Sequence, residues 1–228
     1  MNPNLLFSVC SVLCFALPVL VIILFKLYRH TSLIALLLYY VLTIVHCLYA
    51  EAIPPVPNFS NPLDVAYTYL EVPLILCSLL FFCHVRQRRL WMQRILLGFI
   101  AYELMISLYF KFSAQASLWI TAPGLAVVVG YAAYLFIRQT AFTILHGKNV
   151  GRVLMLGAVL LAYGSYSLVF YTYFVQKQTD IYTVYALYFL SSTVASMLMS
   201  VGLFMMRNRI RDLQELKIVR KELQMLFG

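Results

Sequence analysis

The sequence predicts an all-α, polytopic membrane protein that folds as a bundle of seven transmembrane helices. Two observations carry this prediction. The 228-residue chain is 63% hydrophobic and 11% charged, whereas an ordinary soluble domain is about 45–50% apolar and about 25% charged. Uncharged stretches also recur along the chain, and about 20 such residues suffice for a helix to cross a hydrocarbon core about 30 Å thick.

Breaks rich in charge or proline divide the apolar sequence into seven predicted spans. Pro18, Pro73 and Pro123 fall inside spans one, three and five, where each can kink its helix by freeing a backbone carbonyl. The longest gap, 51–65, is rich in proline, which favours an irregular cap or flap over one end of the bundle. The predicted spans cover residues 5–25, 32–50, 66–85, 91–112, 117–138, 152–175 and 182–206.

The basic residues predict the orientation of the bundle. All Lys and Arg residues except Lys111 and Lys177 lie around the turns that follow spans one, three, five and seven, and short cytoplasmic segments accumulate these residues. The N-terminus is therefore expected outside and the C-terminus in the cytoplasm. The first apolar run has no basic segment before it, so it is expected to remain as a helix. The expected location is the cell membrane, or the inner membrane of a Gram-negative bacterium.

The chain divides into a transmembrane domain, 1–206, and a cytoplasmic amphipathic helix, 207–228. Neither Pro nor Gly occurs from Arg207 to Phe227, so span seven can continue as a helix beyond the membrane. Three roles remain open for this helix: contact with anionic lipid, homodimerisation, or binding of a cytoplasmic protein partner. The apolar residues that follow a 3-4-3 spacing, typical of about two heptads, are Leu216, Val219, Leu223 and Leu226.

Two acidic residues lie inside predicted spans. A charged side chain at the bilayer centre costs about 2.5–3.5 kcal/mol, so such residues usually face the bundle interior. Glu103 lies about 12–14 Å along the helix from Arg94 and Lys111, close to the midplane. Glu71 lies in the outer half of span three. Either acid could bind a ligand or ion, or could hold helices together through hydrogen bonds.

Polar residues three or four positions apart share one face of a helix, and several spans carry such faces. Those of spans two, three and four fall between mid-bilayer and the outer surface, so they are expected to meet in an aromatic-lined pocket. The alternative is that its tyrosines form an interfacial belt and that its polar residues only pack helices together. The candidate ligand-binding residues are Glu71, Glu103, His46, Tyr67, Tyr166, Tyr185 and Tyr188.

Several kinds of site are not expected. Seven-helix zinc hydrolases of the ceramidase or adiponectin-receptor type carry several histidines within their spans, whereas here His30, His84 and His146 lie at the cytoplasmic boundary and only His46 remains. Microbial rhodopsins hold retinal on a lysine of the seventh helix, and span seven contains no lysine, so no covalent retinal is expected. No catalytic, metal or other cofactor site is predicted. The basic residues are dispersed among turns, which argues against nucleic acid as a partner.

These observations favour a receptor-like or sensory module with a ligand pocket in the outer half of the bundle and a C-terminal output helix. The ligand is expected to be a small molecule or ion arriving from outside, and lipid is expected around the bundle. A small-solute or proton-coupled transporter is the first alternative, with an acid binding the proton or cation. An intramembrane enzyme that modifies lipid is the second, supported only by the buried acids.

Overall fold

A computed structural model describes residues 3–52, 62–83, 85–111, 114–146, 149–172, 176 and 181–227. These residues form seven α-helices and two short 3-10 helices, which are Leu27–Arg29 and Leu80–Phe82. The predicted Pro-rich cap covers 51–65; its ends, 51–52 and 62–65, are helical and belong to the second and third α-helices, whereas 53–61 lie outside the described residues. The α-helices are α1 (Pro3–Leu24), α2 (Thr31–Ala52), α3 (Pro62–Leu79), α4 (Arg86–Phe110), α5 (Ala114–His146), α6 (Val150–Phe170) and α7 (Ile181–Phe227).

Six helices are long and apolar enough to cross a membrane, and the chain is therefore a multi-pass helical membrane protein. In the described part of α1, a shorter apolar stretch, Val12–Leu24, accompanies them, so the seventh crossing stays a prediction. The six candidate spans are Thr31–Tyr49, Val65–Phe82, Arg86–Phe110, Gln115–Leu145, Val150–Phe170 and Ala186–Asn208.

Helices α5 and α7 extend furthest beyond the ends of their predicted spans. Helix α5 ends at His146, although span five was predicted to end at residue 138. The prediction placed the end there because Arg138 lowers the hydropathy. The helix continues because no Pro or Gly between Gly130 and Gly147 interrupts its backbone hydrogen bonds. Helix α7 is a single helix of 47 residues, and residues 207–227 form its last part.

Residues with left-handed backbone conformation stand at several helix ends. Lys26 (φ 55°) follows α1, Lys111 (φ 51°) ends α4, and Asn149 (φ 80°) precedes α6. Lys26 and Lys111 are side chains that seldom adopt positive φ, since Gly and Asn are favoured there. These helix ends therefore carry no glycine signal in the sequence.

Helices α6 and α7 form the most extensive packing interface, and α1 also packs against α7. Gly151 and Gly202 allow the α6 and α7 backbones to approach closely. A Cβ added at Gly202 would lie 2.7 Å from the carbonyl oxygen of Gly151, and one added at Gly151 would lie 2.8 Å from that of Gly202. In a membrane the hydrophobic effect does not drive helices together. Close van der Waals packing at small residues such as these stabilises the contact instead.

Helix α4 lies at the periphery of the bundle, where it packs mainly against α3 and α5. Its buried face carries Glu103 and Ser107, whereas Leu97, Leu104 and Leu108 are exposed. An exposed apolar face of this kind suits contact with acyl chains. The helix therefore presents lipid-compatible side chains outward and polar ones to its neighbours.

Candidate functional site

Glu71 is buried among side chains of several helices. Its side chain is only 6% exposed, and the hydroxyl of Tyr163 on α6 donates a hydrogen bond of 3.1 Å to its Oε1. Tyr67, one turn earlier on α3, also hydrogen-bonds the Glu71 carboxyl. A buried acid requires such partners, because burial without them costs several kcal/mol.

The hydrogen bonds continue from Glu71 to α2. The hydroxyls of Tyr39 and Tyr67 both lie within hydrogen-bond reach of Thr43, and that of Tyr39 also lies within reach of Tyr163. The four-residue spacings on α2 and α3 place these groups on facing sides of the two helices. The result is a buried polar network that joins α2, α3 and α6.

A small cavity lies beside Glu71, enclosed by α1, α2, α3, α6 and α7. Its volume is about 20 Å³, which is room for one or two water molecules. Its size excludes a drug-sized ligand from this conformation. The residues that line it are Phe15, Tyr39, Tyr40, Thr43, Glu71, Ala162, Tyr163, Tyr166, Tyr188, Ser192, Ala195 and Ser196.

Three hydroxyl side chains in this lining donate to backbone carbonyls of their own helices. Thr43 bonds the carbonyl of Tyr39 at 2.9 Å, Ser192 bonds that of Tyr188, and Ser196 bonds that of Ser192 at 2.9 Å. A hydroxyl has one proton and two lone pairs. These groups therefore offer acceptors, rather than donors, to the cavity.

The charge of the lining is one-sided. Among the lining residues that the structure describes, Glu71 is the one acidic side chain, and none is Lys, Arg or His. Six of the lining side chains are aromatic, and the faces of aromatic rings carry partial negative charge. The cavity thus combines a carboxyl group, hydroxyl groups and aromatic residues.

The structure brings together several of the residues that the sequence singled out. Glu71, Tyr166 and Tyr188 line the cavity, and the Tyr166 and Tyr188 rings lie 5.7 Å apart. Tyr67 contacts Glu71 but is not one of the residues given above for the cavity. Its ring stacks on that of His46, with centroids 4.2 Å apart and an angle of 18° between the planes. The side chain of Tyr185 lies outside the described residues.

Glu103 lies elsewhere in the bundle. It is 4% exposed and does not line the cavity of Glu71. Its neighbour on the same face, Ser107, hydrogen-bonds Tyr69 of α3 at 2.7 Å, so this face of α4 turns toward α3. Glu103 Oε1 has no hydrogen-bond partner within the described part of the chain.

Other lining residues were not among the predicted site residues. Phe15 and Tyr40 have rings 6.4 Å apart, and Tyr40 hydrogen-bonds Ser196. Tyr163 and Ser196 stand on polar helix faces that the sequence does show, so their spacing could have identified them. Phe15 carries no such signal, because an apolar residue in an apolar span can face lipid or the interior equally well.

Within the described ranges, no three His, Cys, Asp or Glu side chains come together in a way that could hold a metal ion. Comparison of the chain with protein-family models, with curated proteins and with solved structures finds no match.

Proposed function

We propose that this protein is a receptor-like or sensory module of the cell membrane that binds a small ligand at Glu71 and transmits its presence through α7. In this proposal the chain crosses the membrane seven times, with the N-terminus outside and the C-terminal helix in the cytoplasm. The distribution of Lys and Arg supports this orientation.

The position of the cavity supports access from the outer side. Glu71, Tyr163 and Tyr188 lie seven to nine residues from the start of α3, the end of α6 and the start of α7, respectively. At 1.5 Å per residue, these distances are about 10–14 Å. In the proposed orientation these helix ends face outward, so the cavity lies nearer the outer surface.

The continuity of α7 is the observation that carries the proposal. Tyr188, Ser192 and Ser196 of α7 line the cavity, and the same helix runs without interruption to Phe227. A helix moves as a semi-rigid element, so a change in its position at the cavity reaches the residues beyond the membrane. The conformational difference that a ligand selects is then expressed at the C-terminal segment.

Amide hydrogen exchange of residues 207–227, in protein reconstituted into nanodiscs, tests this proposal. Glu71→Gln alters the hydrogen bonding and charge at the cavity, and we expect it to change the exchange rates of this segment. Glu103→Gln is the matched control, because Glu103 is also a buried acid but lies outside the cavity. Equal exchange in wild type and Glu71→Gln would remove the link between the cavity and the tail.

A proton-coupled or cation-coupled carrier is the second candidate, and the small cavity favours it. A volume of about 20 Å³ suits a proton carried with one or two waters better than a metabolite. Uptake of protons into liposomes that contain the protein, driven by a potassium diffusion potential, separates the two candidates. A carrier gives a flux that Glu71→Gln removes and Glu103→Gln retains, whereas a receptor gives no flux in any of the three proteins.

A further inference from the structure

We propose that the ligand bound beside Glu71 is a small primary ammonium cation, either ammonium itself or a short alkylammonium such as methylammonium. This inference rests on the proposed ligand site and names its chemical class. It follows from three independent properties of the cavity, which are its charge, its hydrogen-bonding groups and its size.

The charge of the cavity favours a cation. Glu71 is the single acidic side chain among the lining residues that the structure describes, and an opposite charge within about 4–6 Å favours the carboxylate form of a buried acid. Tyr39, Tyr166 and Tyr188 line the same space. An aromatic ring that turns its face to a desolvated cation attracts it, and ammonium groups are among the cations that proteins bind in this way.

The hydrogen-bonding groups favour a ligand that only donates. Thr43, Ser192 and Ser196 have already given their hydroxyl protons to backbone carbonyls, and Tyr163 has given its own to Glu71. A primary ammonium group carries three donors and no acceptor. It therefore matches the carboxylate oxygens of Glu71 and the lone pairs of Ser192, whereas an anionic ligand would be repelled by Glu71. Thr43 and Ser196 also have tyrosine hydroxyls within hydrogen-bond reach.

The size of the cavity limits the ligand. Room for one or two waters admits an ammonium group with at most a short alkyl substituent. Divalent metal ions are a poor match, because calcium takes six to eight oxygen ligands and magnesium keeps an octahedral shell, whereas Glu71 is the one carboxyl side chain among the described lining residues. A quaternary ammonium such as tetramethylammonium has no hydrogen-bond donor and exceeds the available space.

Thermal unfolding of the full-length protein in detergent tests the proposal, with the chlorides of methylammonium, tetramethylammonium and sodium compared at equal ionic strength. We expect methylammonium alone to raise Tm in a saturable manner. We expect Glu71→Gln to weaken this binding by about 10- to 100-fold, since it removes a charge-assisted hydrogen bond, and Glu103→Gln to leave it unchanged. Equal responses to all three salts, or undiminished binding by Glu71→Gln, would overturn the assignment.

Variants of Tyr188 keep the test decisive if Glu71→Gln fails to fold. Tyr188→Phe retains the aromatic face, and we expect it to preserve methylammonium binding. Tyr188→Leu removes that face, and we expect several-fold weaker binding. Equal binding by the two variants would contradict a cation held against the ring.

The same samples separate this inference from the proposed receptor function. Saturable methylammonium binding that depends on Glu71 but leaves the exchange of residues 207–227 unchanged would support the ligand class and refute the receptor. Tail exchange that responds to Glu71→Gln in a protein that methylammonium does not stabilise would support the receptor and refute the ligand class.

Discussion

Tyr163 of α6 donates its hydroxyl proton to the Glu71 carboxyl of α3 across 3.1 Å. These two helices are not among the extensively packed pairs of the described bundle. The hydrogen bond therefore joins elements that backbone contacts hold only weakly. It also fixes the carboxyl at the wall of the cavity.

Replacement of Tyr163 by Phe removes this hydroxyl and keeps the ring. We expect a loss of unfolding free energy of about 0.6 kcal/mol, and of no more than about 1.7, as for other hydrogen bonds between membrane helices. Reversible unfolding in mixed micelles measures the change. Tyr109→Phe is the control, because Tyr109 is 80% exposed, and equal losses in both variants would contradict the structural role of the Tyr163 bond.

Replacement of Gly202 by Ala places a methyl group against the backbone of α6. The added Cβ would lie 2.7 Å from the Gly151 carbonyl oxygen, so the helices must separate, and we expect a loss of about 1–3 kcal/mol. Gly130→Ala is the matched control, since nothing lies within 4 Å of a Cβ there. We expect that control to be neutral or stabilising by about 0.5–1 kcal/mol, and the opposite order would refute the close approach.

Arg207, in the middle of α7, contacts Phe25, the residue that follows α1. Its guanidinium carbon lies 3.8 Å from the centroid of the Phe204 ring and 5.1 Å from that of Phe25. We expect Arg207→Gln to lower the unfolding free energy by about 0.5–2 kcal/mol. Phe25→Leu removes one of the two rings, and additive effects of the two changes in a double-mutant cycle would argue against this contact.

Glu103 is a buried acid whose Oε1 has no partner in the described bundle. Because an unsatisfied buried polar group costs about 1–3 kcal/mol, we expect Glu103→Leu to raise the unfolding free energy. Glu71→Leu should lower it, since that change leaves the Tyr163 hydroxyl without its acceptor. Thermal unfolding of both variants in one detergent gives the comparison, and destabilisation by both would indicate that Glu103 has a stabilising partner.

The proposed orientation predicts which engineered cysteines react with a membrane-impermeant maleimide in intact cells. In a variant whose native cysteines are replaced by serine, we expect Lys177→Cys to react. We expect Lys148→Cys to react only after the membrane is opened, because it lies in a predicted cytoplasmic turn. Labelling of Lys148→Cys in intact cells would reverse or break the assigned topology.

The sequence predicts the helices well because hydrocarbon demands long uncharged segments, and this demand is visible residue by residue. The ends of helices are less visible. Arg138 suggested an end to span five, yet α5 continues to His146, since a charge ends a hydrophobic stretch without ending a helix. Lys26 and Lys111 adopt a left-handed backbone conformation, which cannot be predicted from a lysine in the sequence.

The site is predictable only in part, for a geometric reason. Depth in the membrane follows from position in the sequence, so Glu71, Tyr166 and Tyr188 could be assigned to one level. The rotation of each helix about its axis does not follow in this way. Glu103 was grouped with Glu71 by depth, whereas its face of α4 turns toward a different part of the bundle, and Tyr40 joins the cavity through a side of α2 that the polar spacing did not select.

The glycine contact between α6 and α7 has a mechanical consequence. Ser192 precedes Gly202 by ten residues on α7, about 15 Å, whereas Phe227 follows it by 25 residues, about 38 Å. The two backbones approach most closely at Gly151 and Gly202. If α7 tilts, it therefore pivots about this contact. A displacement of 1 Å at the cavity would then swing the far end by more than twice as much, in the opposite direction.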